Sequence, residues 1–389
     1  MWSDRRIVEL FEIEHPIVQA PMAGLGTVEL AAAVSNAGGL GSIGCAIMAP
    51  DLIVKSVAEF RRSTPKPVNL NFFCHDPAKA DAARERAWHE KLSVYYRELG
   101  IEATALTARL DLAPFGDAAC AVIEEVRPEV VSFHFGLPEP GLVDRVKAAG
   151  SKVISSATTV DEACWLEKHG ADAIIAQGYE AGGHRGTFLE SDHKHAVAEQ
   201  AGTFALVPQV ADAVSVPVIA AGGVGDGRGV AAAFALGAAG VQVGTAFLLC
   251  AETATPPLYR AALRHARANQ TVVTNVFSGR SARALVNRLV GEIGPWSDTA
   301  PDFPLPMGEL PPLRAAAEQN GSTDFTPLWS GQAAALAREM PAKLLIETLV
   351  REATKFGGSA ADTALPRPNH GRTVHSTALA GDGKMEIRS

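Results

Sequence analysis

The stretch VPVIAAGGVGDGRGVAAAFALGAAGVQVGTAF, residues 216–247, decides the fold. It opens on a β-branched run, halts at a glycine pair, continues as an alanine-rich segment with helical spacing, and closes on a second β-branched run that ends at Gly244 and Thr245. Strand and helix signals alternating over this distance read as a βα unit feeding a parallel strand, because parallel neighbours need a crossover of about a dozen residues or more.

Outward from this stretch the same alternation recurs along the chain. The other runs are IVQA (17–20), GGLGSIG (38–44), VNLNFFC (68–74), VVSFHFG (130–136), KVISSA (152–157) and ADAIIAQG (171–178), which with VPVIAAGG (216–223) and GVQVGTAF (240–247) make eight. Several are apolar nearly throughout, as expected of parallel strands covered on both faces. Eight strands with eight helices close an α/β (βα)8 barrel. The competing architecture, a doubly wound open sheet, often carries a GxGxxG turn after an early strand. PMAGLGT (21–27) supplies Gly24 and Gly26, but position 29 is Glu, so that fingerprint fails.

Two stretches depart from the barrel pattern. Residues 75–115, with AARERAWHEKLSVYYRELG, read as an inserted amphipathic helix or helix pair, forming a lid or a dimer surface. Past the barrel, taken as 13–268, Pro-rich stretches (PDFPLPMGELPP) alternate with helical ones (GQAAALAREM, AKLLIETLVREA), so 269–355 reads as a helical subdomain folded back over the cleft. Residues 356–389 lack apolar periodicity and read as a mobile tail.

The chain has 389 residues and a net charge of −8, from 35 Lys plus Arg against 43 Asp plus Glu. Nucleic acid and anionic membranes demand clustered positive charge, so neither is an expected partner. A hydrophobic share of 47% and a charged share of 20% belong to a folded globular chain. Such a barrel takes about 250 residues or more as one domain. Cysteines at 45, 74, 120, 164 and 250 form no CxxC pair and no metal-ligand spacing, which fits a reducing compartment and no metal. No window approaches the ~20 apolar residues of a membrane span, and the expected address is the cytoplasm.

In a barrel, function collects at the C-terminal ends of the strands. The fourth run ends in Ser132, Phe133, His134, Phe135 and Gly136; the sixth ends at Gln177 and Gly178 and continues through Glu180, Ala181, Gly182 and Gly183 to His184. Glycines around a histidine let backbone approach a ligand closely while presenting the imidazole. A histidine pointing into the core and bonded to backbone is an equal reading for His134. Gly222 and Gly223, then Gln242, Val243, Gly244 and Thr245, follow the seventh and eighth runs, where backbone N–H groups of tight turns grip a phosphate without lysine. Glycine pairs also serve close helix-on-barrel packing. At the first and third runs, Gln19, Met22, Ala23, Gly24, Asn69 and Asn71 offer amides and a thioether to the edge and face of a flat heterocycle, with a core-filling role for Met22 left open.

QAPMAG, NLNFF, SFHFG, QGYEAGGHRG, AAGGV, QVGTAF, FSGRSAR (277–283) and PLWSGQ (327–332) occur in this order, and over about 13–350 the chain resembles the class I nitronate monooxygenases, formerly 2-nitropropane dioxygenases. The resemblance implies FMN in a (βα)8 barrel closed by a smaller helical domain. It implies that Met22, Ala23 and Gly24 touch the flavin ring and that Asn71, with Asn69, bonds its edge. Gln177 and Gly182 would line the ring, while Gly222, Gly223, Gln242, Val243, Gly244 and Thr245 would hold the phosphate. His184 would be the catalytic histidine, with His134 a second contact to substrate. Ser278, Gly279 and Arg280, and then Trp329, Gly331 and Gln332, would come from the closing segment. The implied reaction oxidises a small-molecule alkyl nitronate with O2 to a carbonyl compound and nitrite, without nicotinamide, in a monomer or homodimer. A neutral nitroalkane would first lose its α-proton to His184.

Three other readings share the architecture. An FMN- and NAD(P)H-dependent enoyl-acyl-carrier-protein reductase shares the EAGGH loop but would want a basic docking patch, for which only Arg280, Arg283 and Arg288 are candidates. A non-catalytic flavin- or phosphate-binding module acting as a sensor leaves the histidine unexplained. A phosphosugar isomerase needs acid and base pairs at strand ends that the sequence lacks.

Overall fold

In the computed structural model, which describes residues 2–102 and 112–356, each of the eight runs contributes a strand. In chain order the strands are β1 (Ile17–Gln19), β2 (Gly41–Gly44), β3 (Val68–Phe73), β4 (Val130–His134), β5 (Lys152–Ala157), β6 (Ala173–Gln177), β7 (Gly183–His184), β8 (Val218–Ala221), β9 (Gly240–Val243), β10 (Thr271–Thr274) and β11 (Ala282–Leu285). The larger sheet runs β1-β9-β8-β6-β5-β4-β3-β2 with every pairing parallel. Its edges meet through a parallel bridge between Val18 and Leu40, where Gln19 N donates to Leu40 O and Leu40 N to Ile17 O, both at 2.9 Å. The Gln19 side chain completes the seam, donating from Nε2 to Ser42 O (3.1 Å) and accepting from Ser42 N (3.2 Å). This fully buried amide closes the barrel instead of reaching a heterocycle.

The near-continuous apolar character of the strands has a two-residue logic. Ile174 and Val218 point outward into the layer beneath the helices, while their neighbours Ile175 and Ile219 fill the barrel interior with Val18, Ile154 and Ala173. Ile7 and Phe11 of the helix Arg6–Phe11 join that interior cluster and stopper the N-terminal end. The C-terminal end is thereby the open one. Between β8 and β9, the helix Gly227–Ala235 starts at Asp226, whose side chain accepts from Arg228 N at 3.0 Å, a cap worth about 1 kcal/mol.

The segment beyond the barrel holds strands as well as helices. β10 pairs antiparallel with β11, and β11 pairs antiparallel with β7, setting Ala282 opposite His184 and Arg283 opposite Gly183. The runs TVVT and ARAL are too short to stand out, and their partner β7 lies in a distant loop. The 75–115 insertion contains the helix Ala82–Glu98, N-capped by Asp81. Trp88, Leu92, Tyr95 and Tyr96 share one face and pack with Phe277, Leu313 and Phe325 of the closing segment. Arg84 Nη1 donates to Asp302 at 2.7 Å and reinforces the contact. The helix is an internal brace. The C-terminal helix Ala342–Phe356 lays Leu345, Ile346 and Leu349 onto the barrel's helical layer. The expected tail lies outside the described residues. No helix among the described residues is long and apolar enough to cross a membrane.

Candidate active site

The C-terminal strand ends converge on a cavity of about 270 Å³. The loop after β1 brings Met22 and Ala23, β3 brings Asn71 and Phe73, β4 brings Ser132 and His134, and β6 with its loop brings Gln177, Glu180, Gly182, Gly183 and His184. Gly222, Gly223, Gln242, Gly244 and Thr245 complete the barrel side, and the closing segment contributes Phe303, Met307, Trp329 and Gly331.

One end of the cavity is bare backbone. Gly222 (φ +112°) and Gly223 (φ +71°) sit in the left-handed region that glycine enters without a Cβ penalty. A Cβ on Gly222 would lie 2.9 Å from Thr203 Oγ1 and 3.0 Å from Ala181 N. The carboxylate of Glu180 holds this corner, accepting from Thr203 N (2.7 Å) and Thr203 Oγ1 (2.8 Å). Nearby, Gln242 Oε1 is buried without a hydrogen-bond partner among the described residues. An orphaned amide oxygen, a glycine cradle and the Met22–Ala23 wall suit a flat, hydrogen-bonding heterocycle that carries a phosphate.

The other end holds the histidines. Gln177 folds the loop between β6 and β7, donating from Nε2 to His184 O (2.9 Å) and accepting from Gly186 N (2.8 Å). Arg185, fully buried, ties the same loop through Gln177 O (2.6 Å), Gly178 O (2.7 Å) and Gln200 Oε1 (2.6 Å). His184 Nε2 lies 2.9 Å from Ser278 Oγ, and that hydroxyl donates to Arg280 O at 3.2 Å. A serine hydroxyl has one proton, so with that proton on Arg280 O the imidazole donates from Nε2 and keeps a lone pair on Nδ1. His134 Nε2 donates to His184 O at 3.1 Å. Phe73, Phe303 and Trp329 ring His184, with centroids 6.2, 5.5 and 5.2 Å from its own.

Burial sets the protonation states. Desolvation, aided by the closeness of His134 and by the Arg280 charge, pushes His184 down to about 3. Desolvation takes His134 down to about 4, with Arg280 and Arg185 adding to the shift. Both rings are neutral near pH 7. Arg280 is itself lowered by desolvation to about 10 and stays charged. Its guanidinium lies 4.0 Å from the Phe135 ring centroid, and Phe135 has a left-handed φ of +70°.

Several expected contacts fall elsewhere. Asn69 lies a layer deeper than Asn71, fully buried, with Nδ2 donating to Ser42 Oγ at 3.0 Å, and does not line the cavity. The period of two puts both asparagines on one face, but only the outer one reaches the opening. Asn71 donates to Ser132 Oγ at 3.0 Å while lining the cavity. Val243 points into the outer helical layer, the alternate face from Gln242. Gly24 turns with φ +76° beside the lining without joining it. Ser278 stands behind His184, and Gln332 bonds Glu180 O through its backbone N (3.0 Å), so neither lines the cavity. Phe73, Phe303 and Met307 also line the cavity. Phe73 follows Asn69 and Asn71 at the same period and was legible; Phe303 and Met307 come from a Pro-rich segment with no periodic signal.

The profile of one family, nitronate monooxygenase, matches residues 4–352. A nitronate monooxygenase of Pseudomonas aeruginosa is 46% identical over 349 residues, spanning 89% of this chain and 98% of that protein. One from Paraburkholderia phytofirmans is 44% identical over 350 residues, spanning 90% of this chain and 94% of that protein. Among solved structures, nitroalkane oxidase from Streptomyces ansochromogenes superposes with a TM-score of 0.82 at 37% identity, covering 90% of this chain and 98% of that one.

Proposed function

This chain belongs to the nitronate monooxygenase family, a class of flavin-dependent oxidoreductases, and from that premise we propose that it uses FMN to oxidise alkyl nitronates with O2 to a carbonyl compound and nitrite. The observation that carries the reading is a neutral imidazole, His184, ringed by aromatic side chains in the same cavity that the glycine turns line. In this reading the 13–268 barrel holds the cofactor and 269–355 covers the substrate.

Gly222, Gly223, Gly244 and Thr245 would take the phosphate through backbone N–H groups, with Gln242, Asn71, Gln177 and Gly182 along the ring and Met22 and Ala23 against it. FMN, when bound, would supply the redox centre between the substrate and O2. The chain's own residues do the rest. Phe73, Phe303 and Trp329 hold the carbon skeleton and exclude water. When the substrate arrives as the neutral nitroalkane, Nδ1 of His184 takes the proton from the carbon next to the nitro group. Its low pKa keeps the lone pair available across the physiological range. We take the enzyme as a cytoplasmic monomer or homodimer, a compartment that its five free cysteines support.

The test is anaerobic mixing of the purified holoenzyme with ethylnitronate in one cuvette and NADPH in another, following the flavin absorbance. A spectral change with the nitronate alone is expected. Bleaching by NADPH alone, with none by the nitronate, would replace this reading with enoyl-thioester reduction.

A further inference from the structure

Three guanidinium groups are buried around the loop that carries His184, and among the described residues none has a carboxylate within 4.0 Å. Arg185 bonds only carbonyl and amide oxygens. Arg283 donates to Tyr179 O (3.0 Å) and Thr271 Oγ1 (3.1 Å), lies 4.6 Å from the Tyr179 ring centroid, and leaves Nη2 without a partner. Arg280 donates from Nη2 to Thr187 O and lies over Phe135, while its buried Nε has no partner. The nearby buried carboxylates face other groups: Glu162 accepts from Thr158 N, Thr158 Oγ1 and Phe188 N, and Glu180 accepts from Thr203. A buried cation without a counter-ion is costly, and such groups are ordinarily paired.

The surplus is not spread evenly over the cavity. Glu180 lines the glycine-turn end. Arg280 stands behind the histidine end without lining the cavity: its guanidinium lies 4.0 Å from the Phe135 ring centroid, which is 4.6 Å from that of His134 and 6.0 Å from that of His184. His134 and His184 are neutral near pH 7, and Asp76 and Glu162 act on Arg280 only from beyond ion-pair distance, so the charge at that end is positive and has no carboxylate in contact.

We propose that Arg280, backed by Arg185 and Arg283, makes the histidine end of this cavity an anion subsite that draws in the paired oxygens of a nitronate or of a nitro group as it loses its α-proton. This deepens the nitronate reading above and rests on it for the identity of the substrate, but the subsite itself takes any planar XO2-type oxyanion. Arg280 acts as a specificity-determining residue, through charge delivered past Phe135.

The experiment titrates inorganic nitrate, a planar anion that does not react, into oxidised holoenzyme by calorimetry and flavin absorbance, alongside the steady-state KM for ethylnitronate. Wild type should bind nitrate at least about tenfold more tightly than neutral, planar acetamide. Arg280→Gln should raise both the nitrate Kd and the nitronate KM about tenfold, and Arg280→Lys should recover most of the nitrate affinity. Equal wild-type affinity for nitrate and acetamide would overturn the proposal without any variant. So would an Arg280→Gln protein with normal flavin content and melting whose two constants stay within twofold of wild type. If wild type oxidises no nitronate yet binds nitrate in an Arg280-dependent way, the anion subsite stands and the proposed function falls.

Discussion

Gly182→Ala isolates the contact between the histidine loop and the closing segment. A Cβ on Gly182 would lie 2.5 Å from Gly331 N and 2.6 Å from Ser330 C, both backbone atoms that no rotamer change can move aside. Ordinary van der Waals contact begins near 3.4 Å, so the two loops must part by about 1 Å. That movement strains Gln332 N to Glu180 O and Gly331 N to Thr245 Oγ1, both 3.0 Å. Overpacking of this kind costs about 1–3 kcal/mol, which for a chain of this size lowers Tm by roughly 2 °C per kcal/mol. Because Gly182 and Thr245 line the same cavity, FMN affinity should fall with stability. The free-energy loss corresponds to about 5- to 150-fold in Kd if all of it is felt at the site. The assay is thermal melting of apo and holo protein, FMN titration, and kcat/KM for ethylnitronate. Gly183→Ala is the control, since a Cβ there meets nothing within 4 Å and only its φ of +73° is disfavoured, costing about 1–2 kcal/mol. A Gly182→Ala protein that melts with wild type and keeps both FMN affinity and turnover would refute the close approach.

His184→Asn should retain FMN while nitroethane turnover falls by about 100-fold or more, as expected when a positioned base is removed; unchanged kinetics would remove His184 from its role. Gln242→Leu should weaken FMN about tenfold yet leave apo Tm unchanged or higher, because it deletes an oxygen that is buried without a partner in the protein itself; a destabilised apo protein with normal FMN affinity would contradict this. His134 and His184 have folded values near 4 and 3, below the ordinary 6.5, so the unfolded chain binds more protons between those values. Stability is therefore fully present above about pH 6.5 and lost as pH falls towards about 4, and wild type should lose Tm more steeply there than His184→Asn. Parallel curves would mean that His184 is not buried in neutral form. Trp88→Ala should cost about 3–5 kcal/mol in urea unfolding, since Trp88 is fully buried between the inserted helix and the closing segment; a loss below about 1 kcal/mol would show that the helix braces nothing.

By itself the sequence determined what depends on near neighbours in the chain. β-branched runs alternating with alanine-rich helices dictate parallel strands, eight of them dictate closure, and Gly222 and Gly223 mark a turn at a strand end whatever lies around it. His184 was legible as a residue of the cavity because Gly182, Gly183 and Gly186 flank it in the sequence. Tertiary structure decided everything that depends on depth and on groups distant in the chain. Gln19 and Asn71 are both amides at strand ends, yet only the closure of β1 on β2 turns the first to the seam and leaves the second facing the cavity. Asn69 and Asn71 share a face, but their distance from the barrel mouth separates an interior amide from a lining one. Phe303 and Met307 arrive from more than 100 residues beyond His184, in a segment with no period to read. The neutrality of His184 and the unpaired charge of Arg280 arise from desolvation, which sums over every group packed around them and so has no local signature in the chain.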